Sequence, residues 1–441
     1  MNPFDNIFST LNKSTSPKAV FAISDVEDIK RKVLNWGKLF GTFCFLDNHQ
    51  YPTKHHQMEC VMAAGIKRKL EADNLSGLQS LIEEKKGWLF GHLAYDLKNS
   101  IEPGLQSAHP EAIGFAQLSF FEPIYLLQLS ETELSIEGPH PQQVWEAIEK
   151  MECYPTTTLA PIDIKAKLQK DEYIRLIEKL QQHIRRGDCY EINFCHEFFA
   201  ENVLLDPISI YQQLSAVSPN PFSALYRQND SWLICASPER FIRKEGNTIL
   251  SQPIKGTAKR IPIDAVQDAA NKELLQQSEK DKSENVMVVD LVRNDLSKIC
   301  TEGTVIVDEL FGVYAFPQVY QMISSISGKL LPTTTFSDII KATFPMGSMT
   351  GAPKRRVMQL IEQYEKSRRG IFAGAVGYIS PTGDVDFNVV IRSIMYNAAS
   401  KYVSFQVGSG ITFYSNAAQE WEECLLKAVA IKKVLAGNNS N

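Results

Sequence analysis

The sequence predicts an α+β protein built mainly on antiparallel sheets, and three observations predict it. Strand-like and helical runs are mixed along the 441 residues without a regular βαβ rhythm. The turn-forming run Ser380-Pro381-Thr382-Gly383-Asp384 joins two apolar stretches as a hairpin does. No internal repeat of about 20–50 residues is present.

Taken in order, residues 1–160 hold short strand-like runs (Gly41 to Leu46, Trp88 to Tyr95, Phe115 to Leu129) between polar loops, with no motif that attaches to chemistry. The Pro- and Thr-rich run Tyr154 to Pro161 reads as a connection and sets a boundary near 160, with a second region over 165–435. From Asp171 to Arg186, apolar residues recur at Ile174, Ile177, Leu180 and Ile184 and stop before Gly187, the pattern of an amphipathic helix with a glycine after its end. Next, Tyr190, Ile192 and Phe194 alternate with Glu191 and Asn193, predicting a half-buried strand. Trp232 to Ala236, Val305 to Val307, Ala373 to Ile379, Val385 to Ile394 and Tyr402 to Val407 read as further strands.

Composition narrows the function. Hydrophobic residues at 44% and charged residues at 22% set aside disordered and fibrous classes. A length of 441 leaves both two lobes and one large sheet assembly open. With 46 basic against 51 acidic side chains, the net charge of −5 offers no global attraction for nucleic acid or an anionic membrane, so a small-molecule partner is expected. The 8 cysteines form no C-x-x-C pair and Met1 to Asp5 lacks a basic and apolar leader pattern, which predicts reduced thiols in a cytoplasm. No apolar run approaches the ~18 residues a bilayer span requires. All 8 histidines lie at or before His196, so acid–base chemistry in the C-terminal half falls to carboxylates, lysine or water.

Several segments there carry groups suited to chemistry. Pro253-Ile254-Lys255-Gly256-Thr257 places a lysine in an otherwise apolar turn, where burial would lower its pKa and free its amine as a nucleophile. Glu239, in Ser237-Pro238-Glu239-Arg240-Phe241, is either a working carboxylate or the partner of Arg240. Asp281 with Glu284, and Glu420 with Glu423, lie three apart on predicted helices. Two such faces meeting would suit Mg²⁺, although a solvated helix face has the same spacing. The run from Gly347 through Ser348 and Thr350 to Lys354 lacks the ending of a phosphate loop and reads as a glycine-rich turn entering a helix, with Thr350 near its N-cap. Arg392, on a strand of apolar and small residues, needs an anionic partner, either a substrate carboxylate or an internal acid. Gly408-Ser409-Gly410 follows a strand, so its amides either meet a ligand or form a tight turn.

Together, the Ser237 to Phe241 segment, the Lys255 pentapeptide, Glu284 with Asp290-Leu291-Val292-Arg293-Asn294-Asp295, the Gly347 to Lys354 turn, Gly408 to Gly410 and Glu420 to Glu423 resemble the chorismate-utilising enzymes in type, order and spacing. The resemblance covers about residues 170–435 and implies two antiparallel sheets packed face to face with helices outside and an integrated N-terminal region. At the position of Lys255, anthranilate and isochorismate synthases typically carry alanine, whereas the branch that aminates chorismate carries lysine. The resemblance thus implies conversion of chorismate and ammonia to 4-amino-4-deoxychorismate, the precursor of 4-aminobenzoate for folate. Anthranilate or isochorismate formation, or chorismate binding without turnover, are the alternatives.

It further implies that Lys255 attacks chorismate and Glu239 protonates the leaving hydroxyl. Glu284 and Glu423 would hold Mg²⁺ with help from Asp281 and Glu420. Gly256, Thr257, Ser348, Thr350, Arg392 and the Gly408, Ser409 and Gly410 amides would bind substrate. Nothing in the chain resembles a glutamine amidotransferase, so a separate glutaminase subunit is implied as the ammonia source. Pro221-Phe222-Ser223 resembles a segment that lines a tryptophan pocket in some relatives, and Gln321 stands where many relatives place histidine.

Overall fold

The computed structural model describes residues 17–51, 59–84, 87–152 and 162–437. The connection expected at Tyr154 to Pro161 lies outside them. Two antiparallel sheets of 12 and 10 strands carry the fold. Residues on either side of 160 share both sheets. In the first, Thr42–Asp47 pairs with Phe222–Gln228; in the second, Leu89–Leu93 pairs with Ala375–Ile379.

Strand periodicity explains how the layers stack. Along Thr42–Asp47, Phe43 and Phe45 point into a core roofed by helices, while Cys44 points into the core shared with the second sheet. Ser231–Ser237 repeats this, with Trp232, Ile234 and Ala236 on the helix side and Leu233 and Cys235 between the sheets. Hydrogen bonds span the interface, among them one between the Tyr226 hydroxyl and His92 Nδ1 at 3.1 Å and one from the Gln228 amide to the Ser119 hydroxyl at 2.6 Å.

Helices close the outer face of the first sheet. Lys170–Arg185 buries Ile177, Leu180 and Ile184, three of the four predicted positions, and Gly187 follows it with φ 82°. Each such side chain contributes about 1.5–3 kcal/mol by leaving water. The last helix, Ala417–Leu435, is capped by Asn416 and lies against the same core through Cys424, Ala428 and Ile431. On the second sheet, Glu279–Ser297 packs Val288, Val289 and Val292 into a hydrophobic cluster with that sheet's side chains and starts from the Ser278 cap. Among the described residues, no helix is long and apolar enough to cross a membrane, and the described cysteines are free and buried.

Four local expectations are corrected. Glu191–Ala200 is buried on both faces, because a helix layer and the second sheet sandwich it. The run from Val385 to Ile394 is two strands, Val385–Asn388 and Ser393–Asn397, and Arg392 lies between them with φ 51°. Lys255 belongs to a strand, Ile254–Lys259, and Gly408 to Gly410 lie within the strand Tyr402–Ile411.

Candidate active site

The two sheets meet chemically at Lys255. Its strand lies at one end of the second sheet, and its Nζ lies 2.5 Å from Oε1 of Glu191, at the start of Glu191–Ala200 in the first. Gly410 makes room for this pair. A Cβ there would lie 2.8 Å from the Glu191 oxygen and 2.9 Å from the lysine nitrogen. Burial would lower the lysine pKa, but Glu191, Glu284 and Glu239 together hold it above the ordinary value, which reverses the direction expected from burial. At rest, Lys255 is an ammonium ion among carboxylates.

Glu239 is buried, with 4% exposure, and does not pair with Arg240. Arg240 instead forms a two-pronged contact with Asp386, at 2.9 and 3.0 Å. That leaves Glu239 facing the site, where the Ser348 hydroxyl donates to its Oε1 at 2.6 Å. Burial pushes its pKa up to about 7 against the opposing pull of Ser348, Lys255 and Arg392. Such a carboxyl can hold a proton near neutrality and give it away. Arg392 forms no ion pair among the described residues, and burial lowers its pKa to about 10, countered by Glu239 and Tyr51.

The two acidic helix faces do meet. Lys280 reaches Glu284 on its own helix at 3.8 Å and Glu420 on the last helix at 3.4 Å. Glu284 Oε1 and Glu420 Oε2 are both buried without a hydrogen-bond partner among the described residues. Glu284 has a pKa pushed up to about 7 by burial and by Glu191 and Asp281, against Lys255 and Lys280. Glu423 turns instead to Lys427 at 2.8 Å, which lowers its pKa. No group of three acidic, histidine or cysteine side chains converges on one point among the described residues. Two carboxylates that share the Lys280 ammonium and keep buried oxygens without hydrogen bonds nevertheless suit an ion such as Mg²⁺, which takes few carboxylates and keeps several waters.

The other predicted residues divide. Gly256, with φ 93°, lets the lysine strand approach the acidic helix, since a Cβ there would lie 3.0 Å from Asp281 Cβ. Beyond Gln406 the strand Tyr402–Ile411 pairs only with Glu191–Ala200, leaving the other edge of Gly408 to Gly410 unpaired by a strand. The Ser409 hydroxyl lies 3.3 Å from that of Tyr173, and Lys427 donates to the Gly408 carbonyl at 2.9 Å. Thr350 is not an N-cap. Its hydroxyl donates to the Met346 carbonyl at 2.9 Å, and the next helix, Lys354–Tyr364, begins after Pro353. Thr257 is exposed beside Gln321, whose Oε1 is buried without a partner. Pro221, Phe222 and Ser223 line a separate cavity between the sheets, opposite Asp47, Asn48 and Glu59.

Sequence reasoning missed Glu191 and Lys280. The signal for Glu191 was its position next to apolar neighbours on a strand that proves buried on both faces. Lys280 has 48% of its side chain exposed and resembles any helix lysine until the last helix is brought alongside.

Residues 41–433 match the family described as chorismate binding enzyme. Over 358 residues the chain is 33% identical to an anthranilate synthase component I-like protein of Synechocystis, covering 80% of this chain and 73% of that protein. It is also 33% identical over 342 residues to aminodeoxychorismate synthase component 1 of Klebsiella aerogenes, covering 76% and 74%. Some relatives are longer, and the chain spans 52% of one of them. The crystal structure of anthranilate synthase component I from Streptococcus pneumoniae superposes with a TM-score of 0.72 at 25% identity, covering 96% of this chain and 94% of that one.

Proposed function

This chain belongs to the chorismate binding enzyme family, and we propose that within it the chain aminates chorismate to 4-amino-4-deoxychorismate through a covalent bond to Lys255. The observation that carries this reading is that Lys255 and Glu239 lie close enough to shift each other's pKa, an amine beside a buried carboxyl whose pKa is pushed up to about 7. The Klebsiella aminodeoxychorismate synthase component 1 supports the same choice by its similarity.

Lys255 as the free amine attacks C2 of chorismate. The ring double bonds shift, and the 4-hydroxyl departs as water with the proton of Glu239. Ammonia, supplied from glutamine by a partner glutaminase subunit, then adds at C4. The double bonds shift back and the C2–N bond to lysine breaks. Arg392 holds a substrate carboxylate, and the unpaired edge of Gly408 to Gly410 presents amides to the same dianion. Glu284 and Glu420 would hold Mg²⁺, with Asp281 and Glu423 reaching it directly or through water, and bound there it would offset carboxylate charge on the substrate. Gln321, which cannot shuttle protons as histidine does, serves as a hydrogen-bonding side chain. The cavity beside Pro221, Phe222 and Ser223 is the place where an amino acid such as tryptophan would sit.

The test is to supply the purified chain with chorismate, Mg²⁺ and ammonium at mildly alkaline pH and identify the product by mass spectrometry beside Lys255→Ala. Aminodeoxychorismate from the wild type alone is expected. Anthranilate or isochorismate would move the chain to another branch of the family, and binding without consumption would make it a chorismate-binding subunit.

A further inference from the structure

Lysine can attack carbon only as the neutral amine, yet the resting site holds Lys255 as an ammonium ion. We propose that Glu191 is the base that takes the proton from the Lys255 Nζ before attack and returns it when the lysine is expelled. This rests on the covalent reading above and names the residue that makes it workable.

Four observations carry it. Glu191 lies 2.5 Å from Nζ and is the one carboxylate within ion-pair distance of Lys255 among the described residues. Glu191 is buried with 2% exposure and the Lys255 side chain keeps only 10% exposed, so moving the proton from nitrogen to oxygen inside the pair leaves no buried charge unpaired. The other acids are otherwise engaged. Glu239 is tied to Ser348 and must keep its proton for the leaving hydroxyl, whereas Glu284 shares Lys280 with Glu420. Finally, the missing side chain at Gly410 is what admits the contact, since a Cβ would press on both of its atoms.

The remaining charged groups around the pair are Glu239, just before a strand of the second sheet, Arg392, between strands of the two sheets, Glu284 and Lys280 on the acidic helix, and Glu423 and Lys427 on the last helix. The step balances. Lys255 ammonium and Glu191 carboxylate become amine and carboxylic acid, and the amine lone pair forms the N–C2 bond as the C4–O bond breaks and Glu239 gives its proton to the departing hydroxyl. When ammonia adds at C4, the C2–N electron pair returns to lysine as the amine. Glu191 then reprotonates it, and the new C4 ammonium can restore the proton to Glu239.

The experiment measures chorismate consumption by the full chain with Mg²⁺ at fixed free ammonia, from mildly acidic to alkaline pH, for wild type, Glu191→Gln, Glu191→Asp, Gly410→Ala and Lys255→Ala. Glu191→Gln is expected to lose about 100-fold or more in kcat near neutrality and to show an alkaline rescue in which its deficit against wild type at the same pH narrows, as rising pH removes the lysine proton into solvent, with KM for chorismate unchanged. Glu191→Asp should keep part of the neutral activity, and Gly410→Ala should lose it without the alkaline rescue. Equal or faster turnover by Glu191→Gln would overturn the proposal and leave Glu191 a counter-ion that restrains the lysine. A loss of the same size at every pH would also overturn it, as a packing effect. If Lys255→Ala aminates chorismate at the wild-type rate, the covalent reading itself fails. That outcome is separate from either result at Glu191.

Discussion

Lys30 and Lys255 both sit among carboxylates, and they differ in how completely their neighbours are satisfied. Lys30 sits 2.5 Å from Glu59, 2.9 Å from Asp47 and 3.0 Å from Glu27, and the Gln50 backbone N–H also donates to Glu59. Every charge there has a fixed partner. Among the described residues Lys255 has one carboxylate within ion-pair distance, Glu284 and Glu420 nearby keep buried oxygens without hydrogen bonds, and Arg392 has no ion pair. A closed cluster specifies structure. An open one retains unmet bonding capacity that only a ligand can fill.

Removing each lysine should have opposite consequences. Lys255→Ala should lower kcat by at least about 10³-fold, within the range covalent and acid–base groups supply, with little change in thermal stability. Lys30→Met should leave uncompensated buried acids and cost about 3–5 kcal/mol in denaturant unfolding, while the folded fraction keeps its kcat. The next effect belongs to Glu239. Glu239→Gln should lose about 10²–10⁴-fold in kcat, and wild-type kcat should fall as pH rises past about 7, because the acid must carry its proton.

A smaller effect concerns stability without divalent metal. Glu284 has a folded pKa of about 7, above its ordinary value, so its contribution to stability is complete below the unfolded value and is lost as pH rises through about 7. Glu284→Gln should therefore stabilise the protein at alkaline pH by about 1–3 kcal/mol and flatten that part of a melting-temperature profile. The smallest effect is at Lys280, which competes with any cation for Glu284 and Glu420. Lys280→Met should tighten Mn²⁺ binding, followed by its electron spin resonance signal, by about 2–5-fold, the worth of one partly exposed ion pair. Unchanged affinity would remove these two carboxylates from the metal proposal.

Local patterns made the helix Lys170–Arg185, the strand Ser231–Ser237 and the hairpin at Ser380 to Asp384 legible, because their periodicity and turn residues act over a few neighbours. The break at Arg392 was not, since an apolar run on both sides of a left-handed residue reads as one strand. Nor did a single segment of sequence disclose the state of Lys255. Its protonation depends on glutamates from strands and a helix tens of residues away in the chain. Arg240 taught the same lesson in reverse, because its neighbour in sequence, Glu239, is not its partner in space.

Peptide mapping of enzyme quenched during turnover would show whether Lys255 becomes bonded to the substrate ring. With chorismate and Mg²⁺ present and ammonium withheld, the peptide carrying Lys255 should gain the mass of chorismate less one water, and should lose it when ammonium is added. Aminodeoxychorismate formed while that peptide stays unmodified throughout would contradict the covalent reading.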